Sequence, residues 1–195
     1  MITATIHKPA VDFRLSQCDV FRDLKVVESV HKEACKLTIN YLSFPMAIVL
    51  NQDCDLNSDN RNNRAGVNGN TSLLHVMVVP VFLFDTFLEG THWNGLFNDA
   101  NKQKKTDTAV KKIMENSDPR FHYIHYLPST QLPDMIIDFK HFFTVNKQYL
   151  YEKRHKRLFS IDELFRERIS QRFASYLSRI GLPAYDEKTE KVIID

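Results

Sequence analysis

MAIVL at residues 46–50 and LLHVMVVPVFL at residues 73–83 are the two apolar runs that decide the predicted fold. Both are rich in branched side chains and carry no helical periodicity, which is the pattern of a buried strand. Pro80 predicts a bend or an edge position, because proline cannot donate a hydrogen bond to a strand ladder. Residues 51–70 between them hold seven Asn and two Gly, which predicts an exposed loop. The sequence therefore predicts a β-loop-β unit.

Further strands and one inserted helix are predicted on either side of this unit. The strand pattern recurs in four more segments, at residues 17–30, 36–41, 122–127 and 135–143. Sparse apolar residues predict a helix at about 106–116, which Asp118-Pro119 stops.

The clearest predicted element is a long C-terminal helix at about 160–181. Ser160 is the predicted N-cap, and Glu163 three residues later completes a capping box. Gly181 and Pro183 give the expected end. The apolar stripe recurs at three- and four-residue spacing, at Leu164, Phe165, Ile169, Phe173, Tyr176, Leu177 and Ile180. The predicted outer face carries Arg166, Arg168, Arg172 and Arg179.

Length and composition favour one α+β domain over residues 1–195, with a β-rich core at about 17–150. The chain is 43% hydrophobic and 26% charged, as in ordinary globular proteins. No apolar run approaches the ~20 residues that cross a bilayer, and the start lacks a signal-peptide pattern. Cys18, Cys35 and Cys54 match no zinc or disulfide spacing. A cytoplasmic protein with reduced thiols and no membrane partner is therefore expected.

A group of uncharacterised bacterial proteins resembles this chain in four segments that follow in the same order. The segments are residues 46–56 (MAIVLNQDCDL), 73–82 (LLHVMVVPVF), 135–150 (MIIDFKHFFTVNKQYL) and 172–183 (RFASYLSRIGLP). The resemblance covers about residues 17–183. Its distinctive motifs are the QDCDL turn at 52–56 and the RVGLP-type helix end at 179–183. It implies a bacterial protein and no particular chemistry.

The chain also resembles, more distantly, the MazF/PemK-type toxins of toxin–antitoxin systems. Residues 46–53, 76–81 and 138–147 occupy, in order, the places of that family's apolar strand, returning strand and strand before the last helix. The resemblance implies a small SH3-like β-barrel with a long C-terminal helix and one additional inserted helix. Family members are often endoribonucleases or gyrase-directed toxins. The family's catalytic Arg has no counterpart here, because residues 42–45 stand in its place, and Thr86 is displaced from the family's Thr.

The QDCDL turn offers the first candidate site. Gln52, Asp53, Cys54 and Asp55 follow a buried strand, where functional residues concentrate. The alternative is structural: the aspartates cap backbone amides and Cys54 is a small buried side chain. The two carboxylates disfavour the thiolate that a Cys54 nucleophile would need. No cofactor is expected, although Asp53 and Asp55 could hold Mg²⁺.

Histidines provide candidate acid–base groups. His75 lies in the second apolar run and would form an Asp–His pair if it faced Asp53 and Asp55. His122 and His125 are three residues apart, so in a strand they point to opposite faces and are expected to be structural.

A basic region is the third candidate. Residues 147–179 carry nine Lys or Arg and four Asp or Glu. The residues expected to contact nucleic acid or an acidic partner are Lys153, Arg154, Lys156, Arg157, Arg168 and Arg172. The alternative is an ordinary solvated face.

Two functional hypotheses follow, and a third ranks last. The favoured one is a non-catalytic binding or sensing module of a bacterial stress-response or phage-defence system, with a protein or nucleic-acid partner. The alternative is a nucleic-acid-binding protein or endoribonuclease that uses Asp53, Asp55 and His75 with Arg61 or Arg64. A Cys54-dependent hydrolase or transferase is the third. The sequence leaves the oligomeric state open.

Overall fold

The computed structural model describes residues 3–4, 6–7, 14–67, 69–94, 96, 105–126, 132–179, 184–186 and 191–193. The strands are β1 Thr3–Ala4, β2 Ile6–His7, β3 Asp19–Glu33, β4 Lys36–Val49, β5 His75–Leu83, β6 Phe121–Tyr126, β7 Met135–Asp138, β8 Phe143–Asn146, β9 Arg157–Ile161, β10 Ala184–Asp186 and β11 Lys191–Ile193. The helices are α1 Asp53–Ala65, α2 Phe84–Leu88, α3 Asp107–Met114, α4 Lys147–Glu152 and α5 Glu163–Leu177, with single 3₁₀ turns at Phe139–His141 and Arg154–Lys156.

The main sheet orders its strands β1-β6-β7-β5-β4-β3-β9-β2, with β8 also paired to β5, and β10 pairs with β11 in a separate two-stranded sheet. Its pairings are antiparallel apart from the short parallel contact of β1 with β6. The pairing path is open, with β1 at one end and β2 at the other. The predicted α+β class is confirmed. The predicted inserted helix is present as α3, whose N-cap is Thr106, but it is not the one additional helix, because α1, α2 and α4 also precede the C-terminal helix.

Strand β5 changes partner at Pro80. Residues 75–78 pair with β8 and residues 81–83 pair with β7, so the missing proline amide falls between the two ladders. On its other edge β5 pairs with β4. The single strand predicted at 135–143 is therefore wrong: the 3₁₀ turn divides it into β7 and β8 on one edge of β5.

Strands β3 and β4 form one long hairpin. The predicted strands at 36–41 and 46–50 belong to a single strand, β4, which continues through Pro45. Proline is tolerated there because the register passes from Arg22–Met46 to Leu24–Phe44 without pairing residue 45. Only the part of the hairpin nearest the core is buried.

Residues 51–70, predicted to be an exposed loop, instead contain the helix α1. The helix buries Leu56, Asp59 and Asn60, carries two aspartates in its first turn and ends at Gly66 in a left-handed conformation. The prediction was wrong because asparagine content indicates turns only where tertiary contacts do not intervene. Here Asp59 accepts a hydrogen bond from the Leu73 amide at 2.7 Å.

The C-terminal helix begins later than predicted. Asp162, and not Ser160, is the N-cap of α5, because its side chain accepts the Leu164 amide at 3.0 Å. Ser160 belongs to β9, where its hydroxyl donates to the buried Asp19 carboxylate.

Helix α5 packs onto the sheet through a narrower stripe than predicted. Ile169 and Phe173 are buried in the main core cluster, and Phe165 and Tyr176 pack against it. Leu164 and Leu177 are exposed, which corrects their assignment to the stripe. The predicted Ile180, Gly181 and Pro183 lie outside the described residues. Among those described, no helix combines the length and apolar character needed to span a membrane.

Replacing Asp162 with alanine is expected to destabilise the protein by about 1 kcal/mol, because the cap of α5 is lost. The melting temperature should fall by about 2–4 °C. Asp162→Asn keeps a capping oxygen and should retain most of the stability. An equal loss in both variants, measured by thermal unfolding, would show that capping is not the cause.

Candidate functional site

Asp53, the first residue of α1, is held between two arginines. Its carboxylate lies 3.1 Å from Arg14 Nη1 and 3.3 Å from Arg166 Nη1, and it accepts the Gln17 amide at 3.2 Å. These contacts join the segment before β3, the start of α1 and α5. Arg166, predicted on the outer face of the C-terminal helix, is therefore buried instead. Asp53 acts as a structural anchor.

The other polar residues of the QDCDL motif are exposed, and Leu56 is buried. Gln52 precedes α1 and makes no side-chain cap. Cys54 was expected to be buried if structural, yet it lies on the solvent side of the first turn, with its thiol 3.6 Å from Gln52 Oε1 and 3.8 Å from Asp55 Oδ1. The Asp53 carboxylate forms ion pairs with two arginines, and their positive charge disfavours Mg²⁺ binding there. No cluster of three or more His, Cys, Asp or Glu side chains with metal-binding geometry occurs within the described ranges.

His75 is placed apart from the two aspartates. It is exposed at the start of β5, where its register partner is Asn146. Within the described part of the chain, no hydrogen bond or ion pair joins His75 to Asp53 or Asp55. The structure therefore does not assemble the predicted acid–base group.

The two histidines of β6 point to opposite faces, as predicted. His122 is buried, and burial together with the positive charges of Arg172 and Arg168 lowers its pKa to about 3. His125 is partly exposed, with Nδ1 3.0 Å from Asp134 Oδ1. Its partner Asp134 also accepts the Tyr123 hydroxyl, and the pKa of Asp134 is lowered by these hydrogen bonds despite partial burial.

Several residues of the predicted basic surface instead contact backbone carbonyls or carboxylates of the same chain. Arg157 contacts the buried Asp19 at 2.9 Å and the Arg14 carbonyl at 2.6 Å. Arg172, predicted on the outer face, donates to backbone carbonyls after α3 and at the start of β6. Lys156 contacts the backbone and carboxylate of Asp23. A count of basic residues therefore overstates the charge available to a partner.

Arg154 instead joins residues of α1 in a cleft of about 400 Å³. We call this space the α1–α4 cleft. The cleft is lined by Asn60, Asn63, Arg64, Gln148, Tyr151 and Arg154. One wall is the second half of α1, and the other is α4 with the 3₁₀ turn that follows it. Lys153 beside Tyr149 and the exposed Arg168 belong to surfaces outside this lining.

An ion pair fixes the two walls of the cleft. Lys147 Nζ at the start of α4 lies 2.6 Å from the buried Asp59 carboxylate of α1. Tyr151 is buried beside it, and burial, followed by the Asp59 charge, raises the pKa of its phenol to about 12. The phenol has no partner of ordinary hydrogen-bond geometry among the described residues. Since Lys147 neutralises Asp59, Arg64 and Arg154 dominate the charge of the lining.

The sequence pointed to only part of this cleft. Arg64 was a candidate cation and Arg154 belonged to the basic region, but no sequence pattern indicated that the two lie in the same cleft. Asn60, Asn63 and Arg64 are spaced as one face of a helix. That spacing would have indicated a polar surface had residues 51–70 been recognised as helical.

No protein-family model, no curated protein and no solved structure matches the chain. The resemblances to the QDCDL-containing bacterial group and to the MazF/PemK-type toxins therefore stay predictions.

Asp53→Ala is expected to lower the free energy of unfolding by about 2 kcal/mol, because it removes charged hydrogen bonds to two arginines and one amide. Asp55→Ala, two residues along the same turn, is the matched control and should cost less than about 0.5 kcal/mol. Urea unfolding measures both. Equal values would contradict the anchoring role of Asp53.

The stability should also fall as the pH drops from 6.5 to 5. The unfolded chain protonates His122 near its ordinary pKa of 6.5, whereas the folded chain keeps it neutral until about 3. The unfolded state therefore binds more protons in this window, which corresponds to a loss of about 2 kcal/mol. Denaturant titrations at several pH values give the free energy of unfolding at each pH. The plot of this free energy against pH should be shallower for His122→Leu than for the unmodified protein. An unchanged slope would contradict the assignment.

Proposed function

We propose that this protein is a non-catalytic binding module that recognises nucleic acid through the α1–α4 cleft. The observation that carries the proposal is the convergence of Arg64 and Arg154 on one cleft with amide side chains between them. Arginine matches phosphate geometry, and Asn or Gln amides can donate to phosphate and sugar oxygens. The resemblance to MazF/PemK-type toxins supports a place in a bacterial stress-response or phage-defence system.

Binding is favoured over cleavage by the position of the candidate acid–base groups. Asp53 is engaged by Arg14 and Arg166, and His75 lies elsewhere on the surface. Asp59, beneath the cleft, is paired to Lys147. General acid–base cleavage of a phosphodiester needs a base within reach of the reacting hydroxyl. The described lining of the cleft offers two cations and neutral groups. The endoribonuclease hypothesis stays as the alternative.

The proposal includes a MazF/PemK-like, SH3-like barrel as the scaffold. Strands β1 and β2 are separated by one residue, yet they pair with β6 and β9, which lie at opposite ends of the longer strands. Residues 3–4 and 6–7 thus pair at opposite ends of the sheet, which supports a barrel-like arrangement. SH3-like barrels host many functions, so the cleft carries the functional argument.

Arg64→Gln and Arg154→Gln are each expected to weaken binding of a fluorescein-labelled single-stranded RNA about tenfold, because each removes a charged contact to phosphate. Fluorescence anisotropy at about 50 and 200 mM salt measures the affinity. The slope of log affinity against log salt should fall by about 1 in each variant. The labelled RNA should remain intact on a denaturing gel.

Arg61→Gln is the matched control, because it removes the same charge from α1 at a position outside the cleft lining. It should leave affinity and salt slope within about twofold of the unmodified protein. Equal losses in all three variants would indicate general electrostatic attraction. Absence of binding to both RNA and single-stranded DNA at low salt would end the proposal, and cleavage of the RNA would favour the alternative.

A further inference from the structure

The α1–α4 cleft has a buried floor and an exposed rim. Asn60 on α1 and Tyr151 on α4 form the floor, and each is only 8% exposed. The rim is formed by the four exposed residues of the lining, Asn63, Arg64, Gln148 and Arg154. The cleft therefore presents neutral polar side chains inside and positive charge at its entrance.

The two floor residues carry hydrogen-bonding groups that the fold leaves unused. The Tyr151 hydroxyl is buried and has no partner of ordinary hydrogen-bond geometry among the described residues. The nearby Asp59 carboxylate is already engaged by Lys147 Nζ at 2.6 Å and by the Leu73 amide at 2.7 Å. The Asn60 side chain makes no hydrogen bond to another residue that the structure describes. Because buried polar groups are nearly always hydrogen-bonded, this floor suits a ligand that supplies the partners.

The chemistry of the floor matches the edge of a nucleobase. An asparagine amide presents an acceptor and a donor side by side, and it can pair bidentately with a base. Burial and the Asp59 charge raise the pKa of the Tyr151 phenol to about 12, so the phenol is protonated and can donate at neutral pH. Neither floor residue is charged, and both arginines of the lining are at the rim. A phosphate therefore fits the entrance better than the floor.

The size and shape of the cleft suit one nucleotide. Its volume of about 400 Å³ lies within the range of about 300–1,000 Å³ that is typical of pockets for small ligands. Tyrosine rings and arginine guanidinium planes are surfaces on which unpaired bases stack. Arg64 belongs to the α1 wall and Arg154 to the opposite wall, so the two can contact phosphates on either side of a base that enters between them.

We infer that the α1–α4 cleft receives a single unpaired base, which hydrogen-bonds to Asn60 and Tyr151 while the adjoining phosphates contact Arg64 and Arg154. The inference rests on the proposed function and makes its partner more specific. The partner is a single-stranded nucleic acid, because a base in a duplex is stacked and paired and must be extruded before it can enter a pocket.

The first test compares two fluorescein-labelled probes that carry the same number of phosphates. One is a short single-stranded RNA, and the other is a chain of abasic ribose phosphates of the same length. Fluorescence anisotropy at about 50 mM salt should show that the RNA binds about tenfold more tightly or better, because only the RNA can stack and hydrogen-bond in the cleft. Arg64→Gln should weaken the binding of both probes by similar factors, because it removes a phosphate contact.

Tyr151→Phe tests the floor directly, because it keeps the ring and removes only the hydroxyl. It should weaken RNA binding about fivefold, as the loss of a neutral hydrogen bond would. The affinity for the abasic chain and the salt slope should stay unchanged, since no charge is removed. The melting temperature should be no lower than that of the unmodified protein, because the hydroxyl has no partner in the described fold.

Tyr149→Phe is the matched control. It makes the same change on the same helix, at a hydroxyl that accepts the Lys25 amide at 2.9 Å and lies outside the cleft lining. Its affinity for each probe should stay within about twofold of the unmodified protein.

Equal affinity for the RNA and the abasic chain would overturn the inference. So would a Tyr151→Phe variant that binds RNA normally or that weakens both probes equally, and so would a duplex of the same RNA that binds as tightly as the single strand. Each of these results leaves the proposed function standing if Arg64→Gln and Arg154→Gln still weaken binding. Binding of neither probe would overturn the proposed function and the inference together.

Discussion

The break in the ladder at Pro80 is the constraint on which the rest of the structure depends. Because residue 80 cannot donate a hydrogen bond, the pairing of β5 changes there: residues 75–78 pair with β8 and residues 81–83 pair with β7. The chain passes from β7 to β8 along the same edge of β5 through one 3₁₀ turn, which carries the buried Phe139. Helix α4 follows β8 directly and so lies beside α1. The α1–α4 cleft is a consequence of where β5 changes partners.

The apolar runs were the most predictable part of the fold. The runs at 46–50 and 73–83 became β4 and β5 because buried strands of branched residues carry their own pattern. The helices α3 and α5 were also predictable from periodicity, although the N-cap of α5 was misplaced from Asp162 to Ser160. Both residues are capping types, and only the pairing of Ser160 with Asp19 across the sheet distinguishes them.

Helix α1 could not be predicted from composition. Its sequence has one buried apolar residue, Leu56, and its stability comes from contacts with distant parts of the chain. Asp53 reaches Arg166 and Asp59 reaches Lys147, over separations that no local pattern reveals. The candidate cleft was hidden for the same reason. Likewise, Arg157 and Arg172 were counted as surface charge although both serve internal acceptors.

The exposed part of the β3–β4 hairpin, residues 25–43, has a consequence for how the molecule opens. Its hydrogen bonds run between two strands only, with solvent along both outer edges, whereas the residues on the core side of Leu24 and Phe44 belong to a multi-stranded sheet. Amide protons in residues 25–43 should thus exchange with deuterated solvent through local opening, while those of β5 should exchange only on global unfolding. The main sheet is therefore one unit in topology but two units in cooperativity.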